Sequence, residues 1–74
     1  MTKLLLEVVI ERDREGYFAY CPSLQGCYTQ GETYEDAIEH IKDAIRLHLA
    51  DRKATHQSLP STESISVTTL ELAV

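Results

Sequence analysis

The chain has no tryptophan, one phenylalanine, one methionine, two prolines and two cysteines in 74 residues. Two cysteines, Cys21 and Cys27, are too few for a disulfide scaffold or a four-ligand structural zinc site. No apolar run approaches the ~18–20 residues of a membrane-spanning helix. The opening segment, residues 1–10, is an apolar stretch broken by Glu7, with no small-residue cleavage site after it. It reads as a strand and not a signal peptide, so the expected compartment is the cytoplasm. Positive charge is also scarce: seven bases stand against twelve acids, a formal charge of -5. Phosphate binding needs clustered Lys and Arg, so no direct contact with DNA or RNA is expected. A basic protein suits this balance better, because opposite potentials steer association.

What is present fits one small soluble domain, residues 1–74, with 43% hydrophobic and 26% charged residues. A domain of this size has a large surface for its volume and a marginal core. Disulfides and structural metal being excluded, self-association remains as the compensation. A homo-oligomer, dimer or tetramer, is expected.

Residues 3–12 read as a first strand. Leu4, Leu6, Val8 and Ile10 fall on one face at period two and should meet the core. Asp13-Arg14-Glu15-Gly16 is a hairpin turn. Residues 17–21 form an aromatic second strand, with Tyr17, Ala19 and Cys21 on one face and Phe18 and Tyr20 on the other. Pro22 ends the ladder, residues 22–26 loop, and residues 27–30 make a short third strand. Thr33 is a good N-cap and Asp36 sits where a capping box needs an acid. Tyr34, Ala37, Ile38, Ile41, Ala44, Ile45 and Leu49 follow a one-faced helical pattern, so a helix is predicted over 33–53. Arg46, Arg52 and Lys53 suit the negative end of its dipole. An eleven-residue loop, 54–64, leads to a β-branched last strand, 65–72. That loop is long enough for the last strand to pair within its own chain or with a neighbour's. The predicted class is α+β, ordered β-β-β-α-β, with a small antiparallel sheet and one amphipathic helix on one face.

One stretch is more specific. Gly16-Tyr17-Phe18-Ala19-Tyr20-Cys21-Pro22-Ser23-Leu24-Gln25-Gly26-Cys27 is followed by Thr29-Gln30-Gly31-Glu32-Thr33 and Glu35-Asp36-Ala37. This ordered set resembles the HicB family of antitoxins from toxin–antitoxin pairs. The resemblance covers residues 4–50 and extends to the last strand. It implies a partial ribonuclease-H-like β-β-β-α-β domain. It also implies a function, binding and masking a small basic RNA-cleaving toxin. Family antitoxins carry a second, DNA-binding domain after this one. Only about twenty residues follow the helix here, so operator binding is not expected. The same departure leaves room for an orphan oligomeric module with no toxin.

The remaining residue types were weighed against simpler roles. Cys21 and Cys27 flank a five-residue loop and could face each other, but in a reducing compartment two small buried thiols are the expectation. His40, His48 and His56 recur every eight residues, ~12 Å along a helix, too far for two of them to share a metal. A minimal metal-dependent nuclease would draw on Glu7, Glu11, Asp13 and Glu39, yet nothing in their spacing marks them as convergent. No Ser or Thr has an evident activating His and acid. Tyr17, Phe18, Tyr20 and Tyr28 could stack nucleic-acid bases, but the charges around them are mixed. Core packing and partner contact explain them better.

The expected function is therefore protein binding without catalysis, cofactor or metal. Partner contact is assigned to Tyr17, Phe18, Tyr20, Pro22 and Gly26 for shape, and to Glu35, Asp36, Glu39 and Asp43 for electrostatic steering. Leu47, apolar on the outer side of the helix, is the candidate for self-association.

Overall fold

The computed structural model describes residues 4–60 and 66–74. Three strands come first: β1 (Val9–Asp13), β2 (Gly16–Tyr20) and β3 (Tyr28–Gly31). They form an antiparallel sheet in the order β1-β2-β3. One helix, α1 (Tyr34–Ala54), follows and packs across β2 and β3. The class is α+β, as the pattern of elements implied.

The hairpin between β1 and β2 forms where the polar run predicts it. Asp13 Oδ1 accepts from the backbone N–H groups of Glu15 (2.8 Å) and Gly16 (3.1 Å). Gly16 sits at φ 138°, a region that only glycine enters without strain. The register pairs Val9 with Tyr20, Ile10 with Ala19 and Glu11 with Phe18, and then Phe18 with Gln30 and Tyr20 with Tyr28. Alternation then sorts the faces. Ile10, Ala19 and Thr29 look toward the helix, while Val9, Glu11, Phe18, Tyr20, Tyr28 and Gln30 look away from it.

The helix begins as its cap residues dictate. Thr33 is extended, and its hydroxyl accepts from the Asp36 N–H at 3.0 Å, satisfying one of the free amides of the first turn. Glu35 and Asp36 lie in that turn, and Arg52 and Lys53 in the last, both favourable to the dipole. Ala37 and Ile41 are fully buried, and Ala44, Ile45 and Leu49 are partly buried along the same stripe. The approach to β3 is tight. A Cβ on Gly31 would stand 2.5 Å from the backbone nitrogen of Ala37, so no larger residue fits there without moving the helix.

The core is Ala19, Cys21, Leu24, Cys27, Ala37 and Ile41. Leu24 enters it from the loop. Cys21 N–H donates to the Cys27 carbonyl (3.0 Å), Leu24 N–H to Cys21 (3.1 Å) and Cys27 N–H to Leu24 (3.2 Å). The Pro22–Gly26 segment is thus a tied loop with a buried leucine plug, and Pro22, Gln25 and Gly26 are left outside.

Two expectations need correction. The ladder of the first strand is shorter than residues 3–12. Val9 already pairs with Tyr20, and the chain then turns at Pro22, so residues 4–8 run out of partner. Leu6 and Val8 still pack on the core as the period required, while Leu5 is 92% exposed. The last strand, expected at 65–72, is not formed over the residues described. Residues 66–74 join no ladder and all are exposed; Ile65 lies outside the described residues, as do Ser61–Ser64 of the preceding loop. β-branched composition supplies a preference for pleated structure, but pairing is a tertiary event and needs an edge.

Candidate partner-binding surface

The face of the sheet away from the helix carries an aromatic cluster. Phe18 lies 5.8 Å from both Tyr20 and Tyr28, ring centroid to centroid, with tilted planes. Strand pairing produces the cluster, because Tyr20 and Tyr28 are register partners and Phe18 is two residues from Tyr20. Tyr28 is 63% exposed. The cluster continues into an open concavity of about 420 Å³ lined by Phe18, Tyr20, Tyr28 and the Pro22, Gln25 and Gly26 positions of the tied loop. Rigid aromatics on a fixed loop suit docking, since little conformational entropy is lost on contact.

A second concavity, about 350 Å³, lies at the hairpin end of the sheet against the start of α1. Asp13, Glu15, Glu32 and Asp36 contribute its carboxylates, Tyr17, Phe18 and His40 its rings, and Gln30 and Gly31 its floor. His40 Nδ1–H donates to the Gln30 carbonyl at 2.7 Å, which fixes the tautomer of the ring. Phe18 borders both concavities, so the aromatic face and the acidic end form one continuous surface.

The fold separates the residues assigned from sequence. Phe18, Tyr20, Pro22 and Gly26 are brought together on the open face. Asp36 joins them through the acidic end. Tyr17 leaves the aromatic cluster and lines the acidic end with Asp36, meeting Tyr34 edge-on at 6.3 Å while the Arg12 guanidinium sits 5.7 Å above its ring. Glu35, Glu39 and Asp43 lie on the exposed side of the helix and line neither concavity. Glu39 pairs with Lys42 (3.3 Å) and Asp43 with Arg46 (3.0 Å), which cancels part of their field. Such exposed pairs add little to stability. Leu47 is 72% exposed, with Asp43 and Asp51 as helical neighbours one turn to either side.

Gln30, Asp13, Glu15, Glu32 and His40 are not assigned to the surface from sequence, and Tyr28 enters there only among the aromatics suited to packing or partner contact. Tyr28 was within reach, because period two across a hairpin places it beside Tyr20. The others depend on where the helix starts relative to the turn, which has no local signal.

The nuclease candidates are dispersed. Glu11 is on the open face, Asp13 serves the turn, and Glu39 is on the helix; among the described residues no group of three His, Cys, Asp or Glu side chains could hold a metal ion. Both cysteines are free and buried. Burial pushes the Cys27 thiol above its ordinary value of 9.0, and neighbouring Cys21 adds to the shift. No helix among the described residues is long and apolar enough to cross a membrane.

The sequence profile of the HicB-like antitoxin of bacterial toxin–antitoxin systems matches residues 6–72. The chain belongs to the HicB-like antitoxin family. A UPF0150 protein of Helicobacter pylori strain J99 is 41% identical over 70 residues, spanning 95% of this chain and 97% of that protein. A UPF0150 protein of Thermoplasma acidophilum is 36% identical and spans 82% of this chain and 90% of its own length. Among solved structures, a chain described as "HicA3 and HicB3 toxin-antitoxin complex" superposes with a TM-score of 0.65. It covers 82% of this chain and 72% of that one at 24% identity, which establishes a shared HicB-like fold.

Proposed function

We propose that this HicB-like protein binds a small basic RNA-cleaving toxin in the cytoplasm and masks its active site, with no catalysis of its own. The observation that carries this reading is the continuous surface made by the Phe18, Tyr20 and Tyr28 cluster, the tied Pro22–Gly26 loop and the acidic end at Asp13, Glu15, Glu32 and Asp36. Aromatic anchors supply contact area, and carboxylates at one end supply attraction and orientation toward a cationic partner. Glu35, Glu39 and Asp43 add to the long-range field from the helix. Family membership and the likeness to a toxin–antitoxin complex support the choice of a toxin over other basic proteins.

The test uses a small basic protein of the toxin class, sought first in the open reading frame beside this chain's gene. Phe18→Ala with Tyr28→Ala should weaken its binding by roughly 30-fold or more, the scale of losing a hot spot. Charge reversal of Glu35, Asp36 and Glu39 together should slow association by about 10-fold at low salt and flatten its salt dependence. Unchanged affinity in the first variant, with its fold intact by circular dichroism, would reject the aromatic surface as the toxin contact. Unchanged rate and salt response in the second would reject steering by the helix.

A further inference from the structure

The order β1-β2-β3 leaves two sheet edges, and the molecule treats them differently. At β3 the Gln30 carbonyl is taken by His40, and the start of α1 presses against Gly31. At β1, among the described residues, no backbone hydrogen bond arrives from the side away from β2. Exposed edges are normally guarded by charge. Glu11, Arg12 and Asp13 guard the far half of this one, but residues 4–10, Leu-Leu-Leu-Glu-Val-Val-Ile, have only Glu7. The flank behind that stretch is unfinished. Leu6, Val8 and Ile10, with Ala44, Ile45 and Leu49 of the helix, are packed on the core yet only partly buried.

A matching strand pattern stands at the other end of the described chain. Residues 66–72, Ser-Val-Thr-Thr-Leu-Glu-Leu, equal the unguarded stretch 4–10 in length. Period two puts Thr68, Leu70 and Leu72 on one face, and Val67, Thr69 and Glu71 on the other. The family match runs through residue 72, so this segment belongs to the domain's pattern. Yet Leu70 and Leu72 are 75% and 76% exposed, and none of the segment lies on its own sheet.

We propose that residues 66–72 of one copy add as a strand to the outer edge of residues 4–10, the unguarded stretch that leads into β1, in a second copy, and reciprocally, giving a two-fold dimer. Leu70 and Leu72 then cover the half-buried flank of Leu6, Val8, Ile45 and Leu49, while Val67 lies on the side of Leu5. This sorting holds for either strand direction in the register that sets Leu70 and Leu72 on the side of Leu6 and Val8; a one-residue slip would reverse it. The second copy is the occupant because the single chain holds both the free edge and the free strand and leaves them apart. The path out of the helix is also set: Gln57 N–H donates to the Arg52 carbonyl (2.8 Å), and Arg52 Nη1 donates to the Ser58 carbonyl (2.9 Å). An interface of this kind is isologous and closes on itself. It uses a different surface from the one proposed for a toxin, so the two readings stand or fall separately.

The experiment uses the full chain at micromolar concentration, without toxin. Sedimentation equilibrium should give twice the chain mass. In an equal mixture of isotope-labelled and unlabelled chains, isotope-filtered NOEs should connect the methyls of Leu70 and Leu72 in one copy to those of Leu6 and Val8 in the other. The variant Leu70→Glu with Leu72→Glu should sediment at the single-chain mass with its helical circular dichroism retained. A single-chain mass for the native protein would overturn the proposal, whether residues 66–72 are protected on their own edge or not. So would a dimer lacking those intermolecular NOEs, or a double-glutamate variant that stays dimeric.

Discussion

Single residues fix this domain where space or charge is short. Cys21 and Cys27 close the mouth of the Pro22–Gly26 loop as buried free thiols. The Cys27 thiol is pushed above 9.0 chiefly by burial. In the unfolded chain the thiol ionises first, so above that unfolded value the unfolded state holds fewer protons than the native one. Stability is then fully present below the ordinary thiol value and falls as pH rises through the folded one. Urea denaturation at stepped pH should show a flat neutral region and an alkaline decline, and Cys27→Ala should reduce that decline. The same residues show where sequence reasoning stops. Period two correctly sorted Ala19 and Cys21 onto one face and Phe18 and Tyr20 onto the other, because alternation is a property of the strand itself. The same rule already sets Tyr17 apart from Phe18 and Tyr20; its edge-on meeting with Tyr34 depends on where the helix lies, which the strand alone does not show.

At the scale of elements, α1 was the most legible part. Its apolar spacing, the Thr33 cap and the placement of charge at its two ends all agree, and its observed bounds differ from the expected ones by a single residue at each end. Thr33→Ala removes the acceptor for the Asp36 amide and should cost about 1 kcal/mol, read as a lower urea midpoint with an unchanged slope. The strands were legible in their faces and less so in their lengths. A strand's extent depends on how much partner is opposite it, and β2 ends at Tyr20 before residues 4–8 are reached. The acidic concavity was not legible, because it is assembled from a turn, a strand end and a helix start that are adjacent only in the folded molecule.

For the molecule as a whole the limiting quantity is core. Of the six fully buried side chains among the described residues, Leu24 and Ile41 are the two large aliphatics; the rest are alanines and cysteines. Ile41 sits where the helix crosses the sheet, so little can close over a hole at that point. Ile41→Ala should cost about 2–5 kcal/mol, a large part of the stability of a domain this small. Thermal melting followed by circular dichroism should show a broad, early transition or none.

The imidazole of His40, resting on the Gln30 carbonyl, has a further consequence. A sheet that welcomes a neighbour on both sides can stack without end, and fibrils are the outcome. With a ring on the outer side of β3, the dimer proposed above has the β1 side to build on and not the β3 side, and the same histidine also lines the acidic concavity.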